Sequence, residues 1–173
     1  VDGKKMAKSA GNFYTLRDVM EKGYSPLAYR YLLLTAHYRK QLNFTWESLS
    51  ASQTALTKLE DFVRNIDGAG EVDKSYQTKF ISVLNEDLNT PQAIALMWEV
   101  VSDLTLSPTV KKATLIYFDQ VLGLNLANLK PLEIPEDVKR LVTERELARK
   151  DGNFSLSDQL RDQVLTLGYI IDD

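Results

Sequence analysis

Lys5 and Lys8, spaced by two residues and followed by Ser9, stand in a short stretch that Gly11 makes pliable. Ammonium groups so placed on a loop can close over a polyphosphate and neutralise charge as it develops, which is where electrostatic catalysis gains most. In that chemistry Lys8 binds the phosphates and stabilises the transition state of their cleavage. Lys5 holds the closed loop, and Ser9 donates to a phosphate or caps the turn. The bland reading of the same residues is a solvated tail.

A second constellation lies near the other end. Arg145 and Arg149 fall one turn apart on one predicted helix, and Asp158 and Asp162 one turn apart on the next, so each pair is expected to project from one face. By themselves they read as surface salt bridges, each worth under about 1 kcal/mol. Phe154 stands in the loop that joins the two helices. His37 is the only histidine. It reads as a helix-end imidazole bonded to nearby backbone or, with Tyr38, Arg39 and Lys40, as an RNA contact. Trp46, Trp98, Tyr117 and Phe118 recur at helical spacing among Leu and Ile, which favours core packing over base stacking.

The elements that must position these residues read as helix after helix. Thr15 caps a short helix that stops at Gly23, and Ser25 with Pro26 opens a second. Thr45 starts a long third helix through Ile66, and a fourth begins near Tyr76. Asn89-Thr90-Pro91 stops that one and opens a fifth towards Leu104, and Ser107-Pro108 opens a sixth that Gly123 closes. Residues 136–150 and 156–167 form a helical hairpin, and Tyr169-Ile170-Ile171 is a short strand candidate. The expected fold class is therefore all-α: a helical bundle with a small C-terminal hairpin ending in a short strand. Its domains are 1–44 (loop and connecting helices), 45–127 (bundle), 128–135 (linker) and 136–173 (hairpin). Leu59, Phe62, Phe80, Leu96 and Phe118 are expected to be buried.

Composition limits the chemistry. Without cysteine, and with one histidine, the 173 residues cannot assemble a usual zinc or copper site. No apolar run approaches the roughly 18 residues of a membrane span, and nothing reads as a secretion signal, so a cytoplasmic location is expected. The net charge of -3 is unevenly spread. Residues 1–40 carry eight Lys or Arg against three acids, and five basic residues fall between Lys139 and Lys150 against Glu144 and Glu146. These two basic stretches are the candidate faces for a polyanion.

Lys5-Met6-Ala7-Lys8-Ser9 resembles the second signature of class I aminoacyl-tRNA synthetases, with Ala7 where serine is usual. Its continuation Gly11-Asn12-Phe13-Tyr14-Thr15-Leu16-Arg17-Asp18 resembles the cysteinyl-tRNA synthetase family specifically. So do Ala36-His37-Tyr38-Arg39 with Gln41 to Thr45, Asp87-Leu88-Asn89-Thr90-Pro91, and Ala148-Arg149-Lys150 with Asp158 to Asp162. These motifs run in order along the whole chain. The resemblance implies a tRNA-binding C-terminal part of an enzyme that activates cysteine with ATP and magnesium and transfers it to tRNA(Cys). Lys5, Lys8 and Ser9 would be catalytic, with Lys8 on the ATP phosphates. Arg149, Phe154, Asp158 and Asp173 would read the anticodon, and His37 and Arg39 would meet the acceptor stem. The family's zinc ligands lie upstream of this signature, so no metal is assigned to these residues. A chain opening on Val1 is expected to be a monomeric piece, inactive by itself, and a short tail is expected to follow Asp173. Two other readings compete: a related ligase joining cysteine to an amino sugar, which has no anticodon to read, and a non-catalytic helical interaction domain.

Overall fold

Among the described residues, seven of the eight helices begin on a side chain that accepts from the helix's own first turn, which satisfies donors that would otherwise be orphaned. The computed structural model describes residues 1, 3, 5–7, 9, 11–130, 134–169 and 171. Its helices are α1 (Leu16–Glu21), α2 (Pro26–Leu34), α3 (Trp46–Arg64), α4 (Lys74–Asn85), α5 (Thr90–Ser102), α6 (Pro108–Leu122), α7 (Glu136–Lys150) and α8 (Phe154–Thr166), with a 3-10 turn at Leu126–Asn128. Thr15, Ser25, Thr45, Asn89 and Ser107 cap where the sequence predicts. α4 starts earlier than predicted, at Lys74, because the Asp73 carboxylate accepts from the Tyr76 amide at 2.9 Å. None of these helices is long and apolar enough to cross a membrane.

The chain divides into two compact units, Val1–Lys130 and Pro131–Asp173. In the first, Val19 of α1, Ala28, Tyr31 and Leu32 of α2, and Phe44 share one core with Leu49, Leu56, Leu59, Phe80, Leu96, Met97, Leu115 and Phe118. The segment before residue 45 is thus packed into the same core as the bundle. At its centre the Phe80 and Phe118 rings lie parallel, 4.0 Å between centroids. Of the expected core residues, Leu59, Phe80, Leu96 and Phe118 are buried, while Phe62 is only half-buried and the next residue, Val63, takes the inward position. Phe62 instead lies beneath the Lys111 ammonium, 5.9 Å away, which donates to the Val101 carbonyl in the last turn of α5 at 2.8 Å. A cation there complements the negative end of the helix.

The C-terminus of α6 is fixed by two side chains, Arg30 of α2 and Asp119 of α6 itself. Arg30 donates to the Leu122 carbonyl at 2.6 Å, and Gly123 follows with φ +67. Its left-handed backbone favours glycine, and a Cβ there would also crowd the Arg30 guanidinium at 2.8 Å. Asp119, almost wholly buried, accepts from the amides of Leu124 (2.5 Å) and Leu126 (2.8 Å) and closes the turn beyond.

Tyr76 is buried with its hydroxyl donating to Asp103 at 3.0 Å. Burial first, and the Asp103 carboxylate second, push its phenol up to about 12. The folded state therefore holds that proton between pH 10 and 12, where the unfolded chain releases it, so stability is present below pH 10 and falls as pH rises towards 12. Tyr76→Phe should flatten that alkaline loss in denaturant titrations from pH 8 to 12. An unchanged slope would rule out Tyr76 as the group responsible.

In the second unit α7 and α8 bury Val138 and Ala148 against Leu160 and Val164. Glu136 and Asp137 lie in the first turn of α7 and Arg149 and Lys150 in its last, which complements the helix dipole. The connection is three residues long. Asn153 donates its amide to the Ala148 carbonyl at 2.8 Å, while its side chain accepts from the Leu156 amide at 3.2 Å, so one residue closes α7 and opens α8. Gly152, φ +72, supplies the left-handed residue this closure requires.

Two expectations are corrected here. Phe154, read as part of the joining loop, is the first residue of α8, because Asn153 is already the cap. The terminal strand is absent among the described residues. The Tyr169 amide donates to the Val164 carbonyl (3.1 Å) and the Gly168 amide to Leu165 (2.9 Å), bonds that cap α8 and remove Tyr169 from any ladder. Ile170 of that candidate lies outside the described residues.

Candidate functional site

The loop carrying Lys5 is closed by a side chain. Asn12 accepts from the Ala7 amide at 2.9 Å and donates to the Lys5 carbonyl at 3.0 Å, clasping the segment across its base. Farther back, the Gly3 amide donates to the Asn43 side chain at 2.8 Å. Thr15 then locks the start of α1: its amide and hydroxyl donate to the Asp18 carboxylate at 2.6 and 2.7 Å. Those bonds, the backbone one first, hold the Asp18 carboxyl below the usual carboxylate range. Tyr14, Tyr24, Phe44 and Trp46 pack edge to face or stacked behind the loop, with the Lys22 ammonium 4.6 Å above the Trp46 ring. Trp98 donates to the Tyr31 hydroxyl at 2.8 Å. Both tryptophans are thus packed residues of the fold. Lys5 and Ser9 are exposed, as a phosphate contact requires. Lys8 lies outside the described residues.

A second cluster forms where the segment after α2 meets the α4–α5 connection. Tyr38 donates to Asp87 Oδ1 at 2.6 Å, and Arg39 Nε lies 3.0 Å from Asp87 Oδ2 and 2.9 Å from the Tyr38 hydroxyl. His37 Nε2 lies 3.1 Å from the Asp87 carbonyl, which can only accept, and His37 Nδ1 accepts from the Arg39 amide at 3.3 Å. These partners assign the proton of the neutral ring to Nε2. Asp87 and Leu88 have φ of 58 and 53, two consecutive left-handed residues that are not glycine. Such a conformation costs roughly 1 to 2 kcal/mol per residue, and it persists here with three side chains gathered on Asp87.

On the hairpin Arg149, Phe154 and Asp158 are exposed, Phe154 by 66%. Arg145 is not the exposed companion of Arg149 that helical spacing suggests: it is buried, 5% exposed. Asp158 pairs with Arg161 one turn on, Nη2 to Oδ1 3.4 Å. Asp173 lies outside the described residues.

The geometry thus provides a clasped basic loop, a hydrogen-bonded Arg-Tyr-His cluster and an exposed Arg-Phe-Asp face. The family described as the tRNA synthetases class I (C) catalytic domain matches residues 1–54, and the DALR domain matches residues 79–127. A cysteine–tRNA ligase of Burkholderia lata is 43% identical over 171 residues, 98% of this chain and 36% of that protein. Those of Chlamydia muridarum and Borreliella burgdorferi are 37% and 35% identical over the whole chain, covering 42% and 41% of their lengths. This chain belongs to the cysteinyl-tRNA synthetase family.

The chain spans roughly two fifths of the length of these synthetases. The catalytic-domain match takes in the clasped loop, α1, α2 and the first turns of α3, and the DALR match runs from α4 to the turn at Leu126–Asn128. In this chain, sequence reasoning missed Asn12 and Asp87 as organising residues. Both stand inside the motifs that carry the resemblance, but their role is to bond backbone and side chains up to 50 positions away, which spacing cannot reveal.

Proposed function

We propose that the protein carrying this chain ligates cysteine to tRNA(Cys) with ATP, and that these residues supply its phosphate clamp, helical bundle and anticodon reader. The observation that carries this reading is the Asn12-clasped loop bearing exposed Lys5 within the segment that matches a class I catalytic domain. With the loop base held by Asn12, Lys5 keeps the loop closed, Lys8 meets the ATP phosphates and Ser9 donates to one of them. Cation charge placed beforehand at the scissile bond lowers the barrier without reorganisation. Magnesium would travel with the ATP, and zinc is assigned to no residue of this chain, which has no cysteine and one histidine.

At the hairpin, Phe154 offers an aromatic plane for an unstacked base, Asp158 an acceptor for a base edge, and Arg149 a donor, with Asp173 as a further acceptor. His37 and Arg39 would meet the acceptor stem. The tRNA-reading face separates this function from an amino-sugar ligase.

The test is binding of this chain to tRNA(Cys) and to an anticodon-swapped variant. Asp158→Ala should cost about 1 to 3 kcal/mol with the cognate tRNA and narrow its lead over the variant, as loss of a base contact does. Lys139→Ala should weaken both tRNAs alike and reduce the salt slope by about 0.7. If Asp158→Ala affected both tRNAs equally or neither, the hairpin would not be the anticodon reader.

A further inference from the structure

Arg39 is 67% exposed along its side chain, and a long exposed arginine ordinarily samples many rotamers. Here its Nε is engaged by the Asp87 carboxylate and the Tyr38 hydroxyl, and its guanidinium carbon lies 5.5 Å from the Tyr38 ring centroid. Tyr38 is tied in turn to Asp87 Oδ1, and its ring is stacked on His37 at 4.9 Å. Among the described residues nothing accepts from Arg39 Nη1 or Nη2. An exposed ion pair contributes little to stability, which does not account for three side chains converging on a turn held in a left-handed conformation at Asp87 and Leu88.

We propose that Asp87 is a positioning residue: its carboxylate, on the left-handed Asp87-Leu88 turn, holds Arg39 as a preformed guanidinium fork for a backbone phosphate of the bound tRNA. This rests on the reading of Arg39 as a tRNA contact. The fork needs both terminal nitrogens for the two phosphate oxygens, and anchoring the side chain through Nε leaves them available. Ordering lost before binding is not lost on binding, so the fixed fork binds more tightly than a free arginine would. The same pinning draws the segment after α2 onto the α4–α5 connection, joining two of the motifs that carry the family resemblance.

The sign of one substitution separates positioning from simple electrostatics. Asp87→Asn removes a negative charge beside the phosphate, so charge alone predicts tighter binding of a polyanion. Asparagine also tolerates the left-handed backbone, which keeps the turn. If Asp87 positions Arg39, the variant binds more weakly instead. The measurement is tRNA(Cys) binding by this chain across a salt series, with thermal melting of each variant. Arg39→Ala should raise Kd about fivefold at about 0.1 M salt and lower the salt slope by about 0.7 to 0.9, one phosphate contact. Asp87→Asn should raise Kd by at least about threefold and lower the slope likewise. The double variant should be no weaker than Arg39→Ala within about twofold, because both act through one contact. Tyr38→Phe, which removes the hydroxyl between Asp87 and Arg39 without touching the turn, should move Kd and slope in the same direction and stands in if Asp87→Asn does not fold. If Arg39→Ala weakens binding while Asp87→Asn and Tyr38→Phe leave it unchanged or tighten it, the positioning role is overturned and the tRNA contact stands. If Arg39→Ala itself has no effect, the contact fails and the fork with it.

Discussion

Lys8→Ala should slow cysteine-dependent ATP–pyrophosphate exchange by the ligase about 100- to 1,000-fold, roughly 2.7 to 4 kcal/mol, with cysteine binding intact. That is the scale of removing one preorganised charge-stabilising donor from a transition state. The effect should appear in kcat as well as in kcat/KM, because the interaction with the phosphates strengthens as charge develops. On the proposed reading, in which Lys5 holds the closed loop, Lys5→Ala should cost less. Asn12→Ala should fall on the same side as Lys5→Ala, because it removes both bonds that clasp the loop base. A loss below threefold for Lys8→Ala would show that the clamp lies elsewhere.

Phe118→Ala should destabilise the first unit by about 3 to 5 kcal/mol, a large share of the roughly 5 to 15 that a domain possesses. Phe118 is fully buried, stacked on Phe80 and edge-on to Tyr117, so its loss leaves a cavity that two aromatic rings border. Both tryptophans, Trp46 and Trp98, belong to the first unit, so tryptophan fluorescence in a denaturant titration follows this unit alone. Phe154→Ala supplies the contrast: an exposed ring on the second unit should leave that transition unmoved while weakening tRNA. A shift of less than about 1.5 kcal/mol for Phe118→Ala would mean that the core is not centred on the ring pair.

The helical class and most helix starts were legible in the sequence because both are local. A cap is decided by one side chain reaching an amide two or three residues on, and Thr15, Ser25, Thr45, Asn89 and Ser107 all do so. The starts that differed followed the same rule with a different cap: Asp73 and Asn153 begin their helices earlier than apolar periodicity alone suggests. The terminal strand was misread because Tyr169-Ile170-Ile171 has strand composition, whereas the capping bonds of α8 claim the Tyr169 amide first. Periodicity also placed Phe62 inside, yet the helix rotates Val63 to the core and leaves Phe62 to cover the Lys111 side chain.

By itself the sequence determined which residues bear charge, aromatic planes and hydrogen-bond donors, and the order of motifs that identifies the family, since residue type and spacing are all that these require. Only the tertiary structure decided which of those groups are held and by what. Asn12 spans the base of the Lys5 loop, Arg145 turns inward where its spacing partner Arg149 stays out, and Asp87 meets residues 48 to 50 positions earlier. The physical reason is that a cap or a turn is a contact between near neighbours, whose distance the backbone sets. A clasp or a fork depends on chain segments that only packing of the core brings within hydrogen-bond reach.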